Sequence, residues 1–202
     1  MKHLFAISDE AVAAALAQKP RRVRRLFARG VTDAVLARTP AVLTFLVGIP
    51  AVVWASVHAP LSELAFVAGW LAWTFIEYVL HRFGLHLPEH TPSFRVASFV
   101  VHGHHHAEPV PQRLVAPLLQ AALLQLLVLG AWRLAWPERQ WSAWAGTLTG
   151  YLVYEAIHYQ IHFSRWRVIA LLRRYHLRHH GQPHARFGIS SPLWDFVFRT
   201  QR

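Results

Sequence analysis

The sequence predicts an all-α integral membrane protein, with four transmembrane helices and a histidine-rich cap gathered on the cytoplasmic side. Apolar runs near 41–58, 61–80, 114–136 and 141–161 reach or approach the roughly 20 residues that a helix needs to cross a bilayer. They pair into two hairpins. The first turns at His58, Ala59 and Pro60 without a Lys or Arg, whereas the N-terminal segment, the 81–113 loop and the C-terminal tail all carry Arg. The positive-inside bias places both termini and the central loop in the cytoplasm. Arg133 and Arg139, beside the second turn, run against it. Composition agrees: 54% of residues are hydrophobic and 15% charged, and nine are Trp, a residue that favours membrane interfaces.

Residues 1–38 read as a cytoplasmic amphipathic and basic N-terminal segment, and 39–202 as the membrane domain. The first segment opens with a helix capped by Ser8 and Asp9 that runs to about Gln18, then a basic stretch ending at Arg38. Met1 to Glu10 lacks the apolar core and small-residue cleavage site of a signal peptide, so this segment is expected to remain. A chain of 202 residues has room for one membrane domain, not for a separate electron-transfer domain beside it. Of the 21 basic residues only Lys2 and Lys19 are lysine, a bias of GC-rich genomes that points to a bacterial inner membrane, or to the endoplasmic reticulum in a eukaryote.

The net charge of +11 raises nucleic acid as a partner. The placement of the basic residues argues against it. Arg21, Arg22, Arg24 and Arg25, and Arg173 with Arg174, flank apolar runs, where cations face anionic lipid headgroups. The absence of Cys excludes thiolate-bound zinc, thiolate-bound iron–sulfur clusters and disulfides. Imidazole and carboxylate remain as the strong metal ligands.

Fifteen His is a large excess, and most fall in four groups. His81 and His86 form HxxxxH; His102, His105 and His106 form HxxHH; His158 and His162 form HxxxH; His176, His179 and His180 form a second HxxHH. Residues three and four apart share a helix face, so each HxxHH presents three imidazoles to one side. Five residues advance a helix by about 140° beyond a full turn, so His86 joins His81 only if the helix ends near Gly84. All four groups fall at cytoplasmic helix ends or in cytoplasmic segments under a topology drawn from Arg alone. Ten imidazoles exceed the four ligands of one tetrahedral zinc and suit two metals of higher coordination. Two irons are the chemical expectation, although imidazole also binds zinc, copper and nickel. Isolated His3, His58 and His90 read as ordinary polar residues. His104 lies off the shared face and His184 stands alone after Gly181, so both stay outside the ligand set.

Carboxylates are scarce. Glu77 precedes His81 by four residues and Glu155 precedes His158 by three, each on its histidine's helical face. Because a metal-bound His hands its other N–H to a carboxylate, carbonyl or water, both are candidates to orient those rings. The alternative is a snorkelling or pore-lining Glu.

At these residues the sequence resembles a known family. EYVLHRFGLHLPEHTPSF, VVHGHHHAEP, RLVAP, GYLVYEAIHYQIH, RRYHLRHHGQPHARFGISS and WDFVFRT, spanning roughly 70–202, resemble the fatty acid hydroxylase superfamily and look most like fatty acid 2-hydroxylases. The resemblance implies a membrane di-metal enzyme that uses O₂ and two electrons to hydroxylate an acyl chain, often at C2 of a fatty acid or of a sphingolipid N-acyl group. It implies that His81, His86, His102, His105, His106, His158, His162, His176, His179 and His180 are the ligands. By the same match Tyr154 and Tyr159 line the acyl entrance, or else anchor their helix at the interface, and Trp194 with Asp195 brace the last cluster.

Departures from the family pattern bear on substrate choice. The haem-binding cytochrome b5 extension of some 2-hydroxylases is not in this sequence, so electrons are expected from a separate cytochrome b5-like protein, ferredoxin or reductase. Pro111 stands where Asp is common, Glu155 replaces a usual Asp, and Arg199 replaces the Gly of a closing FGT. The nearest rival is hydroxylation or desaturation of a sterol or carotenoid, using the same metal chemistry. From other classes, a metal transporter would place ionisable ligands near the bilayer midplane, and a bis-His haem protein would use only two of the ten histidines.

Overall fold

A computed structural model describes residues 5–17 and 21–202. The predicted helix end at Gln18 and the isolated His3 lie outside them. The regular secondary structure of the described residues is helical, with no strand beyond one antiparallel bridge between Ile7 and Phe27. In chain order the helices are α1 (Asp9–Leu16), α2 (Gly30–Ala37), α3 (Ala41–His58), α4 (Glu63–Val79), α5 (Pro92–Ser98), α6 (His104–Ala107), α7 (Leu118–Ala135), α8 (Gln140–Phe163), α9 (Ala170–Gly181) and α10 (Leu193–Val197). Two π-helical turns, Leu80–Leu85 and Phe99–Gly103, extend α4 and α5.

Three stretches, Ala41–His58, Glu63–Leu85 and Pro111–Ala135, are long and apolar enough to cross a membrane. Helix α8 matches the fourth expected span in position and, at 24 residues, in length, but it is less apolar because it sits at the centre of the bundle. Twelve of its residues are buried, among them Glu155 and His158. By contrast α3 buries only Thr44, Gly48 and Ala55, and it turns Val42, Leu46, Ile49, Val53 and Val57 outward. An apolar face of that extent suits lipid, not water.

The α4–α8 contact sets the bundle. A Cβ on Gly69 would lie 1.9 Å from the Ala143 carbonyl oxygen, and one on Gly146 would lie 1.9 Å from that of Phe66. Gly146 and Gly150 form a GxxxG pair, and Gly150 receives the Trp73 side chain. Small residues at such spacing let helix backbones approach where lipid supplies no hydrophobic drive. The Thr147 hydroxyl fastens the contact, donating to Gly69 O (3.1 Å) or Ala143 O (2.9 Å) and accepting from Trp132 Nε1 at 2.9 Å.

The N-terminal segment does not stand apart. Ser8 caps α1 through its hydroxyl, which accepts from Ala11 N–H at 3.1 Å. Ala11, Ala14, Ala15, Val23, Leu26 and Ala37 then form a core with Phe99, at the start of the second π turn. Buried Asp33 ties this segment down, accepting from the N–H groups of Leu26 (2.6 Å) and Phe27 (3.2 Å) and from Arg38 Nε at 2.7 Å, with Arg113 3.5 Å away. Burial pushes the Asp33 carboxyl up, but Arg38, those two N–H donors and Arg113 outweigh it and hold it below the usual carboxylate range.

Replacing Gly69 or Gly146 by Val is expected to force α4 and α8 apart at a cost of about 1–3 kcal/mol or more. The same change at Gly130, where an added Cβ meets nothing within 4 Å, is expected to cost far less. Thermal unfolding of the three variants in detergent checks this, and equal melting temperatures would contradict the packing account.

Candidate metal centre

Four segments bring ten histidines to one end of the bundle. His81 lies in the π turn that ends α4, and His86 just beyond it. His102 lies in the second π turn, His105 and His106 on α6, His158 and His162 on the last turns of α8, and His176, His179 and His180 on α9. The helix does not stop at Gly84 as the spacing suggested. It widens to i→i+5 bonding, with His86 N–H donating to His81 O at 3.2 Å, and no glycine has positive φ. A wider turn brings residues five apart onto one face, which solves the angular problem of HxxxxH without a break. The second π turn acts on His102 in the same region.

The rings sort into two groups. His81, His86, His102, His106 and His179 place ligand nitrogens within 4.8 Å of one another, as do His105, His158, His162 and His176. His180 joins the second, with its Nε2 3.1 Å from Nε2 of both His105 and His176. Each HxxHH is thus divided between the groups instead of serving one, because adjacent positions such as His105 and His106 point about 100° apart on a helix. His104 and His184 belong to neither group. His104 Nδ1 lies 3.1 Å from Phe99 O.

The donor set fits metal. Nε2 atoms approach at 3.2 Å (His81 and His102), 3.3 Å (His81 and His86), 3.0 Å (His86 and His179) and 3.1 Å (His162 and His176). Ligands about 2.1 Å from a metal, at right-angle to tetrahedral bond angles, stand roughly 3.0–3.4 Å apart. Two rings have a fixed tautomer: Nδ1 of His81 donates to Phe187 O at 2.6 Å and Nδ1 of His179 to Ala185 O at 2.7 Å. A carbonyl only accepts, so the proton sits on Nδ1 and the Nε2 lone pair faces the group. Both nitrogens of His106 and of His158 are buried without a hydrogen-bond partner. Burial, reinforced by neighbouring imidazoles, holds His102, His105 and His176 well below the usual histidine range. His86 and His180 fall to about 3 and His179 to about 4. The rings are neutral at pH 7, the protonation state that binds metal.

The carboxylates act one step further out than expected. Glu77 does not reach His81; it accepts from the N–H groups of Ile189 (2.6 Å) and Ser190 (2.8 Å) and from the Ser190 hydroxyl. Asp195 holds the same loop, taking N–H bonds from Phe187 (2.9 Å) and Gly188 (2.7 Å) and the Thr200 hydroxyl at 2.6 Å. Together they position the Phe187 carbonyl that fixes His81. Glu155 does not bond His158; its Oε1 accepts from Ala116 N–H at 3.1 Å and pins the lead-in to α7. Sequence reasoning had no signal for the carbonyls of Phe187 and Ala185, since every residue carries one. Arg199 adopts φ 56°, the left-handed region that glycine occupies without penalty. That accounts for the Gly expected there.

Two cavities lie beside the histidines and share part of their walls. One of about 180 Å³ lies among α4, α7 and α8, between Trp73, Leu124, Tyr151 and His81. The other, about 340 Å³, lies under the N-terminal segment and is walled by Leu26, Phe27, Leu36, Arg113, His102, His105 and His158. Tyr154 lines both, as do Leu85, Ala116 and Gln120, and its ring stacks on His158 at 5.7 Å. Tyr159 lines neither cavity and packs against Phe163 instead.

Arg199→Gly is expected to raise stability by about 1 kcal/mol by relieving the left-handed backbone, and a fall in melting temperature would contradict it. Acid stability carries a second expectation. The folded imidazoles titrate near 3–4 and the unfolded ones near 6.5, so the unfolded chain binds more protons below that value. Chelator-treated protein should therefore be fully stable above about pH 6.5 and lose stability progressively toward about pH 4. Melting temperatures across that range check it, and a flat profile would refute it.

The fatty acid hydroxylase family model matches residues 66–200, which include all ten histidines. The chain is similar to fatty acid 2-hydroxylase of Mus musculus, 38% identical over 143 residues, covering 67% of this chain and 38% of that protein. It is similar to dihydroceramide fatty acyl 2-hydroxylase FAH1 of Arabidopsis thaliana, 35% identical over 170 residues, covering 77% of this chain and 70% of the relative. A solved structure described as full-length scs7p with only the hydroxylase domain visible superposes with a TM-score of 0.76 at 31% identity, covering 87% of this chain and 70% of that one. The chain thus spans less than two fifths of the mouse protein. On the family match and the identity to these relatives, this chain belongs to the fatty acid hydroxylase family.

Proposed function

We propose that this chain is the hydroxylase module of a membrane di-iron monooxygenase that hydroxylates a lipid acyl chain at C2 of a fatty acid or of a sphingolipid N-acyl group. The single observation that carries the position is the wall that the two cavities share, at Leu85, Ala116, Gln120 and Tyr154. The inner one lies among spanning helices and suits the acyl tail; the outer one, under the N-terminal segment, suits the polar end. The carbon next to the acyl carbonyl then falls at the junction, beside the histidines and Tyr154. The names of the relatives, fatty acid 2-hydroxylase and dihydroceramide fatty acyl 2-hydroxylase, support the same reading.

The ten histidines would hold two irons, five to each group; zinc would also fit in a purified protein. When bound, such a centre supplies O₂ activation and C–H oxidation. The protein's own part is to keep the imidazoles neutral and aimed inward and to hold His81 and His179 in one tautomer through backbone carbonyls. It also keeps water from the reacting carbon with Trp73, Leu85, Leu124 and Tyr154. The two electrons come from a separate carrier of the cytochrome b5, ferredoxin or reductase class. We read α8 as the fourth span and place the histidine end in the cytoplasm, on a bacterial inner membrane or, in a eukaryote, the endoplasmic reticulum. The Arg distribution and the apolar outer faces of the helices support that placement.

The test is the lipid profile of cells expressing the wild type or His105→Ala with a matched electron donor, read by mass spectrometry for one added oxygen and its position. A 2-hydroxy acyl product is expected in the wild type and at least about a hundredfold less in the variant, since second-shell changes alone cost 10–100-fold. No oxidised lipid from either chain would remove the hydroxylase reading. An oxygen on another carbon, or a new double bond, would keep the chemistry and refute the placement of the chain.

A further inference from the structure

Away from the histidines, a groove of about 340 Å³ lies between α9 and the start of α10, lined by Leu171, Leu172, Arg174, Tyr175, Arg178 and Pro192. Arg174 and Arg178 are four residues apart on one helix face, where like charges repel. Both are exposed, and neither guanidinium has a hydrogen-bond or ion-pair partner among the described residues. Nearby arginines are occupied: Arg173 donates to Ile161 O (3.1 Å) and Gln160 O (3.2 Å), and Arg186 to Gln182 Oε1 at 2.6 Å. From Ala156 to Arg202 the only acidic residue is Asp195, which is fully buried. The groove therefore holds two cations with no internal counter-charge.

Its position identifies the anion. Helix α10 is fastened to the spanning helix α4: Trp194 Nε1 donates to Thr74 Oγ1 at 3.0 Å, and its ring lies 4.8 Å from Phe75. Thr74 stands seven residues before His81, about 10 Å along the helix into the apolar span. Leu193, Phe196 and Val197 on α10 and Leu171 on the rim of the groove all face outward. Apolar side chains at that depth beside paired arginines match the boundary between acyl chains and headgroups.

We propose that Arg174 and Arg178 form a binding site for the phosphate of an anionic phospholipid of the surrounding bilayer, held as a fork–phosphate contact. The inference rests on the membrane placement of the chain and is independent of the reaction it catalyses.

The test uses the full chain with its metal, delipidated in neutral detergent, and native mass spectrometry of retained phosphatidylglycerol against phosphatidylcholine. The wild type is expected to retain phosphatidylglycerol in preference, and less of it as salt rises. Arg174→Gln with Arg178→Gln is expected to weaken retention about fivefold for each arginine, about thirtyfold together, while metal content stays unchanged. Equal retention by wild type and double variant overturns the proposal, as does wild-type retention indifferent to salt, a readout that needs no variant to fold. Displacement by inorganic phosphate at equal concentration would assign the site to a free anion, not a lipid. If the double variant instead loses binding to a soluble acidic cytochrome b5 or plant-type ferredoxin while keeping phosphatidylglycerol, the face is a protein dock and the lipid proposal fails.

Discussion

The short loop from Ala185 to Ser190 is the constraint on which the rest of the cap depends. It lends two carbonyl oxygens to the Nδ1 protons of His81 and His179, and two buried carboxylates hold it in place. Glu77 reaches it from α4 and Asp195 from α10. Each such hydrogen bond contributes roughly 0.5–1.5 kcal/mol, and a buried polar group that loses its partner costs about 1–3 kcal/mol. The loop thus couples a spanning helix, the last histidine helix and the C-terminal turn. Ring orientation in the histidine cluster is a property of this loop as much as of the helices that carry the rings.

Much of this arrangement is legible in the sequence. Hydropathy locates α3 and α7 because their outer faces must satisfy lipid, and it locates α4 to within a few residues. The histidine spacings identify the ligand-bearing segments because three- and four-residue intervals share a helix face. The division of each HxxHH between two groups is less visible, since it depends on how α6 and α9 are rotated against each other. HxxxxH misleads in a different way: a spacing of five looks incompatible with a continuous helix until the turn widens, and nothing in LHRFGL announces a π turn.

The carboxylates were legible in rank but not in partner. Glu77 and Glu155 stand out because few acids occur in the spans, and helical spacing pointed each at the nearest histidine. Their actual partners are backbone N–H groups 112, 113 and 39 residues away along the chain, and backbone groups carry no sequence label. The N-terminal segment was hidden for a related reason. Its alanines and basic residues suggest a surface helix, yet Leu26, Phe27 and Leu36 wall the outer cavity, brought there by long-range contacts such as the core with Phe99 and the link from Asp33 to Arg113.

Because each HxxHH segment supplies histidines to both groups, the groups share two of the segments that carry them. A slip of one residue in the stretch from Phe99 to Ala107 would withdraw His105 from one group and His102 and His106 from the other in the same motion. The same holds for α9 with His176, His179 and His180. Opening of either HxxHH segment therefore cannot dismantle one group and spare its neighbour. Toward the opening of those two segments the groups form a single cooperative unit, lost or kept together.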